Sequence, residues 1–144
     1  MLNTLNINNK KSVFIHIFHW PFVLFLLTLF FYFRSDWLFT VSLILFFIVT
    51  AIRLLTARYL NIKISDTWIS VKEIYILRSR KPLHYLSLPP YHIIHFSMNN
   101  KKNEDLIFFI KIQGKSKTIG FPVKHFSRYE KLMIRTTLEE VIKK

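Results

Sequence analysis

Two long apolar stretches, parted by the polar step Arg34-Ser35-Asp36, dominate the first third of the chain. Residues 13–33 run for 21 positions without Asp, Glu, Lys or Arg, and residues 37–52 add 16 more. A bilayer core about 30 Å thick needs about 20 apolar residues at 1.5 Å rise. The second stretch reaches 19 residues when Leu54-Leu55 are counted and Arg53 extends its head group to the interface. The pattern predicts a transmembrane α-hairpin over residues 13–55, after a leading segment 1–12. A chain of this size leaves too little sequence to bury two such segments in a soluble core. The first stretch is also longer than the apolar part of a signal peptide and has no small-residue cleavage site.

Beyond residue 57 the continuous apolar pattern gives way to short alternating runs. Leu60, Ile62 and Ile64 fall on one face of a strand over 59–64, and Ser65-Asp66 signals a turn. Residues 68–72 and 74–77 form one strand or a bent pair. Further strands are predicted at 83–88, stopped by Pro89-Pro90, and at 93–98, 105–112 and 116–121. Turns at 78–82, 99–103 and Gln113-Gly114-Lys115 separate them. No helix of useful length fits between these strands, so an antiparallel meander is expected. The chain then closes with a helix. Ser127 and Glu130 have capping-box spacing, and Tyr129, Leu132, Met133, Leu138, Val141 and Ile142 recur at helical intervals. Lys143 and Lys144 follow, suiting a helix C-terminus. The fold class read from the pattern is a two-helix membrane hairpin plus an α+β domain over 56–144.

This order resembles the bacterial pleckstrin-homology (PH)-like membrane proteins. The similarity rests on Tyr-Leu-Asn-Ile-Lys-Ile-Ser-Asp-Thr-Trp-Ile-Ser-Val at 59–71 and on Lys-Thr-Ile-Gly-Phe-Pro-Val-Lys-His-Phe-Ser at 117–127. The family has seven strands where six are read here, and its early turns carry glycines that this chain lacks. The resemblance implies a small antiparallel PH-like sheet or barrel capped by one C-terminal helix. It further implies a binding or scaffolding role, with no catalytic residues to carry over.

Charge orients the hairpin. Lys10 and Lys11 precede the first span, Arg53 and Arg58 follow the second, and the connecting step carries only Arg34 against Asp36. Lys and Arg collect on the cytoplasmic side, so both termini are expected there, in a bacterial inner membrane. Trp20, Tyr32, Trp37 and Tyr59 stand near the expected interfaces. Neither span contains glycine, so no GxxxG contact is proposed. Pro21 either kinks the first helix or starts its membrane-buried part.

The formal net charge is +13. Through residue 55 four basic residues meet one acidic, a net +3; the remainder carries 17 basic and seven acidic, a net +10. A domain this basic beside a membrane favours the anionic leaflet, and the same charges serve topology by holding it inside. The basic clusters are Arg78, Arg80 and Lys81 in one turn, Lys101 and Lys102 in another, and Lys115 and Lys117 in a third. These are the candidate residues for an anionic headgroup or an acidic protein partner, and they equally describe a solvated face. No recognition-helix pattern points to nucleic acid.

Several chemistries are excluded. With no cysteine there is no disulfide, thiolate nucleophile or thiolate metal site. Two glycines, Gly114 and Gly120, rule out phosphate-cradling glycine-rich loops. His16 and His19 share a helix face, a spacing used by metal and haem ligands, but no carboxylate or cysteine stands nearby. His92 and His95, in a strand, point to opposite faces. His84 and His125 have no evident partner. Glu104-Asp105 and Glu139-Glu140 are adjacent pairs that diverge on a regular element, so no acid–base pair is read. The reading is a non-enzymatic membrane-anchored binding protein with no cofactor or metal. The alternatives are an immunity protein against a membrane-acting toxin and an accessory subunit of a transport or secretion complex.

Overall fold

The computed structural model describes residues 4–77, 82–98 and 104–143. Helices α1 (Lys10–Tyr32) and α2 (Asp36–Thr56) form the antiparallel hairpin, and both are long and apolar enough to cross a membrane. A helix satisfies its backbone polar groups internally, as a lipid core demands. α1 continues through Pro21. Phe25 meets Phe46 (ring centroids 6.1 Å apart) and Tyr32 meets Phe39 (5.3 Å), which sets the register between the two helices. Buried Thr28 and Ser42 fall at one level between these pairs. In the absence of glycine they are the small residues that permit close approach. Their hydroxyls donate to the Leu24 and Phe39 carbonyls of their own helices, so neither is left unsatisfied.

Among the described residues seven strands follow a plan that the alternation only partly predicts. β1 (Leu5–Asn8), β2 (Arg58–Ile64), β3 (Ile69–Tyr75) and β4 (His84–Leu88) form one antiparallel sheet in that order. β5 (Ile93–Met98), β6 (Asp105–Ile112) and β7 (Lys115–Pro122) form a second. Residues 5–8, read from sequence as part of a leading segment outside the domain, are thus an edge strand of it. Leu5 pairs with Ile64 and Ile7 with Ile62 across the whole hairpin. The region 68–77, open between one strand and a bent pair, is a single strand starting at Ile69.

The expected single meander is replaced by two sheets, and among the described residues neither closes into a barrel. The break falls at Pro89-Pro90 and the short 3-10 turn Pro90–His92, where proline lacks the N–H a ladder needs. A bulge between Ile93 and His95 follows. The β6–β7 turn is the two-residue kind, with Gln113 at φ 50° and Gly114 at φ 78°.

The core lies between the sheets and α3 (Arg128–Ile142). Leu60, Ile62 and Ile64 alternate inward as their spacing predicts, opposite Leu106, Phe108 and Phe121. α3 buries Ile134, Leu138 and Val141, each worth about 1.5–3 kcal/mol of burial. Tyr129 and Leu132, which the helical spacing assigns to the apolar face, are instead exposed at 70% and 59%. At 100° per residue both lie on the side of the helix opposite Ile134, Leu138 and Val141, facing away from the sheets. The capping box is formed: the Glu130 amide donates to Ser127 Oγ (3.2 Å) and the Ser127 amide to Glu130 Oε2 (2.7 Å).

A second, smaller cluster joins hairpin to domain. Val13 and Ile17 of α1 pack with Ala57, and Leu54, Tyr59 and Ile76 surround them.

Candidate functional site

The chain passes through the junction between hairpin and sheets several times, and a cavity of about 330 Å³ opens there. α2 delivers Arg53 from its last turn, and β2 begins with Arg58. The segment between β7 and α3 contributes Lys124 and His125, α1 contributes His16, and β3 contributes Glu73. Three cations therefore face one carboxylate.

Glu73 is 3% exposed, on a strand whose alternation turns it inward. A buried carboxylate needs a partner. It has the Arg58 Nη1 at 3.3 Å, and His84 Nε2 lies 3.9 Å from its other oxygen. The Arg58 guanidinium also lies over the Tyr75 ring at 4.9 Å. Arg58 is thus largely committed. Arg53 and Lys124 have no ion-pair partner among the described residues.

The His16 and His125 rings stand 5.1 Å apart at 49°. Burial holds the His125 imidazole below the usual histidine range, and the neighbouring charges of His16 and Lys124 push the same way. Glu104 opposes this from across the segment and Lys131 adds to it. The Lys131 ammonium is itself paired with Glu104. At neutral pH His125 is a neutral ring with one N–H to donate. On its other side a groove runs between α1 and the start of α3, lined by Ser12, His19 and Glu130 among others.

The sequence-predicted basic residues fare differently. Arg78, Arg80, Lys81, Lys101 and Lys102 lie outside the described residues. Lys115 and Lys117 are exposed on β7, paired with Ile112 and Ile110. β7 reaches the cavity only at its other end, Pro122, so at about 3.3 Å per residue these two lysines stand some 20 Å away. His84 and His125, read as partnerless, face Glu73 and His16. His92 lies in the 3-10 turn rather than a strand, its Nδ1 3.2 Å from the Lys111 carbonyl, while His95 stacks on Phe109. Among the described residues no group of three His, Asp or Glu side chains is arranged to hold a metal ion.

Arg53 and Arg58 read from sequence only as topology charges, and Lys124 follows them by more than 60 residues. Nothing local in the sequence joins them. No family model matches the chain, and neither the curated proteins nor the solved structures include a significant match to it.

Proposed function

We propose that this chain is a non-enzymatic, membrane-anchored binding protein that presents a basic domain on the cytoplasmic face of a bacterial inner membrane. The domain is read as PH-like, and the seven strands of the described residues, in groups of four and three with one C-terminal helix, support that reading. The open sheets are its departure from a closed barrel. The orientation follows from Lys10, Lys11, Arg53 and Arg58 at the base of the hairpin, against Arg34 and Asp36 at its tip.

The observation that carries the proposal is the pairing of β1 with β2 on either side of the hairpin. The domain is built around its anchor rather than hung from it, so its binding surfaces keep one pose relative to the bilayer. Such an arrangement suits recognition of a second component in the same membrane, either an acidic protein surface or anionic headgroups. Photocrosslinking in native membranes from positions Lys117 and Tyr91 tests this. A single reproducible protein or lipid adduct is expected. Crosslinks scattered over abundant membrane proteins, with no preferred adduct, would overturn it.

A further inference from the structure

The cavity at the foot of the hairpin combines four properties that together describe a ligand. Its charge is unbalanced, since Glu73 answers Arg58 at 3.3 Å while Arg53 and Lys124 have no ion pair among the described residues. Its size, about 330 Å³, is at the small end for ligand sites, suited to a headgroup and too small for a folded segment of protein. Its walls are mixed, with buried Val13, Ile17 and Ala57 beside the polar groups.

Its position is the fourth property. Continuing the register of Phe25–Phe46 and Tyr32–Phe39 down the hairpin puts Arg53 level with Phe18, between His16 and His19. Above that level Phe22, Ile48 and Ile52 are exposed large apolar side chains. Below it Ile15 and Leu55 are still exposed, about one turn before the basic residues Lys10, Lys11 and Arg58, so the cavity opens within the last turn of the hairpin's apolar surface, beside the charges expected at headgroup depth.

We propose that this cavity binds one phosphate-bearing anionic group, with Arg53 and Lys124 pairing its charge and His125 donating an N–H. Arg matches phosphate oxygens through its planar fork, and Lys adds a point charge. Arg58 stays with Glu73 and shapes the wall. The inference rests on the binding-protein reading above and gives it a site and a ligand class. The phosphate can belong to a lipid or to a small soluble ion, and the test separates these sources.

Full-length protein in neutral detergent is titrated with phosphatidylglycerol, with phosphatidylcholine of the same chains, and with inorganic phosphate, and binding is read by native mass spectrometry. Two variants accompany it, Arg53→Gln with Lys124→Gln, and Lys115→Gln with Lys117→Gln. Melting temperatures without ligand establish that both are folded, and Arg53→Lys serves as the conservative alternative if the first variant is not. Phosphatidylglycerol is expected to bind in preference to phosphatidylcholine, with about tenfold or greater loss in the cavity variant and little change in the strand variant. Saturable binding of inorganic phosphate that the cavity variant loses supports the site with a soluble source. Equal binding of the two lipids with no phosphate binding overturns the proposal. Loss confined to the Lys115/Lys117 variant also overturns it, while leaving the binding-protein reading intact.

Discussion

Asn9 and Leu60 exchange two hydrogen bonds: the Asn9 amide donates to the Leu60 carbonyl (3.3 Å) and the Leu60 amide donates to Asn9 Oδ1 (2.7 Å). Asn9 stands at the N-cap of α1, and its own carbonyl accepts from Val13 as the helix begins. An asparagine there ordinarily turns its side chain onto the first helical turn. Here the side chain makes no cap bond and extends the β1–β2 ladder by one step instead. The start of the helix is thereby fixed to the sheet, and the hairpin leaves the domain at a set angle.

Replacing Asn9 by Leu leaves the buried Leu60 amide without an acceptor. A loss of about 1–3 kcal/mol is expected, the cost of one unsatisfied buried donor. Thermal unfolding of the protein in detergent measures it. Hydrogen exchange at Leu60 should quicken at the same time, which a general loss of stability alone would not localise.

The Arg58–Glu73 pair should respond asymmetrically to substitution. Arg58→Met strands a carboxylate that is 3% exposed, with only His84 at 3.9 Å to answer it among the described residues, and is expected to cost about 3 kcal/mol. Glu73→Gln strands a guanidinium whose side chain is already 44% exposed and still rests on Tyr75, so the loss should be smaller. Equal losses in denaturation of the two variants would remove the argument that burial of Glu73 dominates.

Stability should fall on mild acidification. His125 is held below its ordinary value of 6.5 in the folded protein by burial and by His16 and Lys124, against the pull of Glu104. Below about pH 6.5 the unfolded chain therefore binds a proton at this position more readily than the folded one, and folding stability rises with pH through that window. The contribution is fully present above pH 6.5 and is lost as the pH falls toward the folded-state value. His125→Gln should flatten this part of a melting-temperature profile against pH.

The two glycines should behave differently. Gly114 sits at φ 78° with open space around it, so alanine is excluded by the backbone rather than by neighbours, and Gly114→Ala should cost about 1 kcal/mol. At Gly120 an added Cβ would meet Ile107 Cγ1 at 3.9 Å, an ordinary contact, so Gly120→Ala should leave the melting temperature nearly unchanged. Replacing Gln113 by glycine or asparagine, which tolerate its φ of 50°, should raise it slightly.

What could be read in the sequence was local. The two apolar runs mark the hairpin because a lipid core imposes its length on consecutive residues. The period-two alternation of Leu60, Ile62 and Ile64 marks a strand because adjacent side chains point to opposite faces. The box of Ser127 and Glu130 marks a helix start because both partners lie within one turn. Each of these patterns is enforced by neighbours in the chain, so the sequence by itself determined them. The tertiary structure alone decided the rest. β1 alternates as Leu5-Asn6-Ile7-Asn8, but four residues are too short a signal and its partner lies on the far side of the hairpin. Glu73 reads as one more surface charge until β3 turns it inward onto Arg58. His16 and His125 meet across more than a hundred residues, and Arg53 and Lys124 across seventy-one. Their convergence depends on how the hairpin is set into the sheet, a relation held by Asn9 and Leu60 and written in no single stretch of the chain.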